Sequence, residues 1–236
     1  QVQVEDNKLP VEAEALLKAS FPADGPGAAA ILVRGGRVAY AGGQGLADLD
    51  AQRPITPDTP FKLGSIAKQF TAALVLKLVE EMRIALDDPI SRFFPEFPQP
   101  AARATVRQLL NHTSGISDYS KIPGWIDRTQ GRPFTTAQLV EEVRSRPAKT
   151  PPGEAWEYNN AGYAMLGAIV EAVTGKPWHE ALQERITGPL GLTSIRYAGD
   201  AAAQAQLSRG YTNGATGPQP TSGAHASVAH SAGGLV

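Results

Sequence analysis

Ser65-Ile66-Ala67-Lys68 pairs a hydroxyl with an amine three residues further on. Residues three apart on a helix share one face, so the Lys68 amine can reach the Ser65 hydroxyl. With Ser65 opening a helix after Gly64, the positive end of the helix dipole lies beneath both groups. That field, together with apolar surroundings, disfavours a charged ammonium. A neutral amine beside a hydroxyl is a base beside a nucleophile, and backbone N–H groups at the same helix start can hold an oxyanion. Taken alone, a Ser-x-x-Lys pattern arises easily by chance.

Tyr158-Asn159-Asn160 is the second chemistry-bearing group. A phenol near an amine can shuttle a proton, and a carboxamide can bind a substrate amide through both its donor and its acceptor. The bland reading is a turn before a helix, with Asn160 as N-cap. Tyr211-Thr212-Asn213 repeats the spelling in a Gly- and Thr-rich segment, but the buried helix after Asn160 favours position 158. His112 ends a helix before a turn, where histidine more often caps or packs than catalyses. With His179, His225 and His230 it makes no metal-ligand spacing. Ala229-His230-Ser231-Ala232-Gly233 is a relaxed nucleophile elbow, yet no acid or histidine follows Ser231, as that arrangement requires. No phosphate-cradling or dinucleotide glycine motif is present, so the expectation is neither cofactor nor metal.

The elements that must position these groups are legible from periodicity. Residues 10–20 carry helical spacing, and two short apolar runs around Gly35-Gly36 predict a β-hairpin. From Ser65 to about Leu86 the pattern is helical, with a stripe of Ile66, Phe70, Ala73, Leu74, Leu78 and Met82; apolar residues on other faces predict a buried helix. Shorter helices are expected at 104–111 and 136–146, flanked by Thr105 and Thr136, then an apolar helix at 161–173 and another beginning at Pro177. Residues 198–224 read as loop. Strands at the front and helices in the middle suggest an α/β core (α+β type) with a helical insertion.

The 236 residues carry 22 Lys+Arg against 23 Asp+Glu, with 42% hydrophobic residues. That is enough for a core and excludes whole-chain disorder. The charge balance argues against a nucleic-acid partner, and no apolar run approaches a transmembrane segment. The absence of cysteine excludes disulfides and a cysteine nucleophile, and leaves the chain indifferent to an oxidising compartment. It begins Gln1-Val2-Gln3-Val4 without Met, which reads as a processed form and is compatible with a periplasmic or secreted location.

Together the motifs resemble the serine β-lactamase/penicillin-binding protein superfamily, in its class C β-lactamase and D-alanyl-D-alanine carboxypeptidase/esterase branch. Phe61-Lys62-Leu63-Gly64-Ser65-Ile66-Ala67-Lys68 resembles the nucleophile motif and Leu109-Leu110-Asn111-His112-Thr113-Ser114-Gly115 the structural turn motif. Pro152-Gly153-Glu154-Ala155-Trp156-Glu157-Tyr158-Asn159-Asn160 resembles the tyrosine motif. Gly188-Pro189-Leu190-Gly191-Leu192 and Ser231-Ala232-Gly233-Gly234-Leu235 are similar to two further landmarks.

The resemblance implies an antiparallel sheet flanked by helices beside a helical half, with the site in the cleft between. Within one β-lactamase-like domain, about 1–62 and 222–236 would form the sheet half and 63–221 the mainly helical half. It implies Ser65 as the acylated nucleophile, Lys68 as its base, Tyr158 sharing proton transfer to the leaving group, and Asn160 binding the substrate's acyl side chain. Substrates would be small molecules or peptides: β-lactams, D-Ala-D-Ala peptides or carboxylic esters. The family's third motif lies beyond the Ser231-Ala232-Gly233-Gly234 landmark and has no match here. The expectation is therefore a fold incomplete at the C-terminus, with the remaining strands on a complementary C-terminal segment. The rival readings are a penicillin-recognising module that does not hydrolyse, and an inactive fragment.

Overall fold

The computed structural model describes residues 8–221 and 223–236; the Gln1-Val2-Gln3-Val4 start lies outside them. In chain order the elements are α1 (Lys8–Ser20), β1 (Ala28–Arg34), β2 (Arg37–Gln44), β3 (Leu46–Asp48), β4 (Arg53–Pro54), α2 (Ala67–Glu80), α3 (Val106–Leu110), α4 (Trp125–Thr129) and α5 (Thr136–Arg144). They continue with α6 (Asn160–Thr174), α7 (Trp178–Leu182), α8 (Ala201–Gln206), β5 (Tyr211–Gly214), β6 (Gly217–Pro220) and α9 (Ala226–Gly233). The result is a mixed α/β fold of helices and small antiparallel sheets. Among the described residues the strands pair only in twos. None of the described helices is long and apolar enough to cross a membrane.

The chain divides into two units, one formed by Gln1–Phe61 with Gln204–Ser222, the other by Lys62–Ala203 with Gly223–Val236. In the first, β1 and β2 form the predicted hairpin. Arg34 faces Arg37 across Gly35 and Gly36, which have φ of 57° and 74°. Positive φ at both central residues is what the tight hairpin turn matching strand twist demands, and glycine supplies it without a Cβ clash. Residues 198–224, which composition assigns to loop, instead contain α8 and the β5–β6 hairpin. Tyr211 anchors that hairpin by accepting a hydrogen bond from Leu49 N at 2.8 Å, and Arg209 pairs with Asp48 and Asp50. The second Tyr-x-Asn spelling is thus a strand residue bound to a loop.

The second unit is built around α6, whose residues Ala161 to Val170 are all buried. It packs against α2, α3, α5, α7 and α9. Residues 223–236 belong here and not with the sheet, because they form α9, which seats Val228 and Ala232 in the helical core. Helix α2 departs from its expected stripe. Its buried face is Ala67, Lys68, Thr71, Leu74, Val75 and Leu78, whereas Ile66 lies outside the core and Met82 is 91% exposed. The helix ends at Glu80, and Met82 takes a positive φ of 54° in the following turn. It is α6, not α2, that is buried nearly all round.

The caps explain where the helices begin. Thr105 caps α3 and Thr135, one residue before the expected Thr136, caps α5; each forms a reciprocal capping box with a glutamine three residues on. At α6 the cap is Asn159, whose Oδ1 accepts from Gly162 N at 2.8 Å. The helix expected from Pro177 runs from Trp178 to Leu182 and continues into a π-helical turn, Gln183–Thr187.

Candidate active site

Every candidate side chain lies in the second unit. Gly64, with φ of 53°, turns the chain into a 3₁₀ turn (Gly64–Ile66) that runs directly into α2. Ser65 lies in that turn and Lys68 in the first turn of α2, so the two side chains, three residues apart, share one face. The Lys68 Nζ lies 3.2 Å from Ser65 Oγ. Ser65 itself is exposed, while Lys68 is only 6% exposed. The positioned hydroxyl is accessible and its amine neighbour is shielded.

Lys68 is held from two further sides. It donates to Asn160 Oδ1 at 2.8 Å and to the Ala232 carbonyl at 2.9 Å. Its Nζ also sits over the Tyr158 and Tyr163 rings, 4.8 and 5.5 Å from their centroids. The Ala232 carbonyl is brought in by α9, where Thr71 of α2 donates to the Ser231 carbonyl at 2.7 Å. His230, with φ of 45°, kinks the chain just before these two carbonyls. Leu63 N bonds to Leu235 O at 2.9 Å, so the same C-terminal segment also ties down the chain ahead of Ser65.

Tyr158 closes the group by donating to Ser65 Oγ at 2.5 Å. The Ser65 oxygen therefore sits between a phenol and an amine. Behind Tyr158, the His112 ring lies 4.7 Å away, and its Nδ1 accepts from Asn159 N at 3.1 Å. Burial pushes the His112 pKa below its ordinary value. The ring accepts through one nitrogen and is disfavoured as a cation, which makes it a packing and capping group, as its place in the sequence suggests. The Lys121 ammonium donates to the Tyr158 carbonyl at 2.7 Å and to Glu157 Oε1 at 2.6 Å, fixing the irregular segment that carries the phenol.

All four residues singled out from sequence meet here: Ser65, Lys68, Tyr158 and Asn160. Asn160 is not the N-cap of the bland reading; Asn159 takes that task and leaves the Asn160 carboxamide free to face Lys68. Ser231 is fully buried and donates to Tyr163 O at 2.7 Å, so the elbow spelling is a core feature. Sequence reasoning missed Asp118 and Ser120. Asp118 is buried and accepts from Asn160 N at 2.9 Å, and Ser120 Oγ accepts from Asn160 Nδ2 at 2.9 Å. The signal available was an acid in the polar run just after the turn motif, which no spacing rule separates from a solvated loop.

A family model described as Beta-lactamase matches residues 19–236 of the chain. Among curated proteins, Esterase EstB of Burkholderia gladioli is 37% identical over 180 residues, which cover 70% of this chain and 45% of the esterase. A D-aminopeptidase of Cereibacter sphaeroides is 30% identical over 188 residues, covering 79% of this chain and 36% of that protein. Among solved structures, the octameric penicillin-binding protein homologue from Pyrococcus abyssi superposes with a TM-score of 0.79 at 30% identity, covering 98% of this chain and 53% of that one. The chain thus spans less than half the length of these two curated relatives.

Proposed function

Because this chain belongs to the β-lactamase family, we propose that it is a serine acyl-hydrolase that works through an acyl-enzyme on Ser65. The observation that carries the reading is the Ser65 oxygen shared between Lys68 Nζ at 3.2 Å and the Tyr158 hydroxyl at 2.5 Å. A serine hydroxyl is a weak nucleophile until a base takes its proton, and a neutral Lys68 would be that base. Tyr158 would pass a proton to the leaving group, its phenol being hydrogen-bonded to the same oxygen. The Ser65 N–H, in the first turn where helical N–H groups lack an intrahelical acceptor, would be one oxyanion donor. The second donor would come from a complementary C-terminal segment carrying the family's third motif.

Water would then attack the acyl-enzyme, with Lys68 and Tyr158 again moving the protons. Asn160 would hold the acyl side chain while its Oδ1 positions Lys68. The substrate class is a carboxylic ester, a β-lactam or a D-Ala-D-Ala peptide, all of which react through the same two steps. The names of the relatives, an esterase and a D-aminopeptidase, support both ester and amide chemistry. The test is intact mass of the protein mixed with para-nitrophenyl acetate and, separately, with a penicillin. An adduct on Ser65, or reagent consumed by the wild type and not by Ser65→Ala, supports the reading. Equal consumption by both proteins, with no adduct, overturns it.

A further inference from the structure

Asp118 is 3% exposed, and among the described residues no cation pairs with it. Its Oδ1 accepts from Ser120 N at 2.9 Å and from Ser120 Oγ at 2.7 Å, and its Oδ2 accepts from Asn160 N at 2.9 Å. Capping the 3₁₀ turn Tyr119–Lys121 accounts for the contact with Ser120 N alone. A neutral Asn or Ser would cap that turn equally well. Burying a carboxylate with no cationic partner is costly, and such a group is expected to have a task beyond a cap.

The task follows from proton counting. An ionised carboxylate accepts only, so the Ser120 hydroxyl must donate its single proton to Asp118. Ser120 Oγ is then left as an acceptor, and the group that faces it from Asn160 at 2.9 Å must be the amide nitrogen. That fixes the Asn160 carboxamide with its oxygen toward Lys68, 2.8 Å from Nζ. A neutral lysine has two N–H donors and one lone pair. With Asn160 Oδ1 and the Ala232 carbonyl taking both donors, the lone pair is left for the Ser65 hydroxyl.

We propose that Asp118 and Ser120 are positioning residues that lock the Asn160 amide and thereby aim the Lys68 lone pair at Ser65. The proposal rests on the reading of Lys68 as the base of Ser65. A carboxamide at 118 breaks the lock in either orientation. With its NH2 toward Asn160 N, two donors collide. With its NH2 toward Ser120, the Ser120 proton turns to Asn160 and calls for the amide oxygen there, which swings an NH2 onto Lys68.

The experiment compares wild type, Ser120→Ala, Ser120→Thr, Asp118→Asn and Ser65→Ala in two measurements. The first is the single-turnover acylation rate with saturating para-nitrophenyl acetate. The second is the nitrogen-15 NMR signal of the Asn160 side-chain amide, identified by its loss in Asn160→Asp, and the exchange of its protons with water. Ser120→Ala and Asp118→Asn are expected to slow acylation roughly tenfold to a hundredfold, the scale of a misaimed catalytic group. Both should also speed exchange of the Asn160 amide protons. Ser120→Thr keeps the hydroxyl and should stay within about threefold of wild type, which a packing role would not grant a bulkier side chain. Wild-type acylation rates in Ser120→Ala and Asp118→Asn overturn the proposal. Absence of Ser65-dependent acylation in wild type sinks the functional reading instead. The amide signal then decides the lock: an Asn160 amide unmoved by both variants overturns it, and a released one supports it.

Discussion

The Tyr158 hydroxyl donates to Ser65 Oγ across 2.5 Å although the two residues lie 93 positions apart in the chain. The contact is made by two independently anchored segments. Lys121 and the His112 carbonyl hold the chain around Tyr158, while Gly64 and the Leu235 carbonyl set the turn that carries Ser65. Tyr158→Phe keeps the ring and its packing against His112 but removes the donor. Acylation of Ser65 by para-nitrophenyl acetate should fall roughly a hundredfold or more, within the range for loss of a positioned proton-transfer group. Stopped-flow release of para-nitrophenolate measures this, and a rate within threefold of wild type would remove Tyr158 from the mechanism.

Lys68→Ala removes the base and leaves two oriented acceptors, Asn160 Oδ1 and the Ala232 carbonyl, without their donor. Adduct formation on Ser65 should be lost at neutral pH. Intact mass after incubation with a penicillin is the check; an adduct formed at the wild-type rate contradicts the role.

Asn159→Ala removes the α6 cap and also the buried donor to Ile116 O at 2.7 Å. Loss of a cap and of a buried hydrogen bond together should destabilise the fold by about 1–3 kcal/mol. Asn160→Ala should cost less, because its carboxamide caps nothing. Urea midpoints of the two variants, measured side by side, test the order.

His230 holds a positive φ with its imidazole bonded on both nitrogens, to Ser231 Oγ at 3.0 Å and Thr136 Oγ1 at 3.0 Å. Truncating it should cost about 2–4 kcal/mol from the lost packing and hydrogen bonds. Glycine tolerates that backbone conformation and alanine does not, so His230→Gly should be more stable than His230→Ala by about 1 kcal/mol. Urea unfolding gives the difference directly, and the reverse order would show that the kink is not strained.

Burial lowers the pKa values of His112 and His179, both from an ordinary 6.5. The unfolded chain therefore binds these protons first. As pH falls through 6.5 the unfolded state is favoured, and stability drops until the folded-state pKa values are passed. Above 6.5 both rings are neutral in either state and the effect is absent. Urea midpoints taken from pH 7.5 to pH 5 should fall, and His112→Gln should flatten the slope. An unchanged slope would assign the effect to His179.

Ser65 and Lys68 were legible in the sequence because their relation is local. Three residues at the start of a helix bring the two side chains together whatever the rest of the chain does. The Gly35-Gly36 hairpin and the apolar α6 were legible for the same reason, since turn chemistry and periodicity act over a few residues. Even within α2, however, local pattern misjudged which apolar residues face inward. Burial there depends on where α6 and α9 lie, and these leave Met82 in solvent and draw Lys68 and Thr71 into the core.

What only the tertiary structure decided is long-range and polar. Which of two adjacent asparagines caps α6 and which faces Lys68 is set by Ile116, Asp118 and Ser120, some 40 residues upstream. The Ala232 carbonyl reaches Lys68 from 164 residues away because His230 kinks α9. Hydrogen bonds carry no periodic signature, and their partners are named only once packing has brought the backbone segments within about 3 Å of one another. The sequence by itself thus determined the reacting pair and the helices that bear it, while the direction in which the amine's donors and lone pair point is a property of the assembled core.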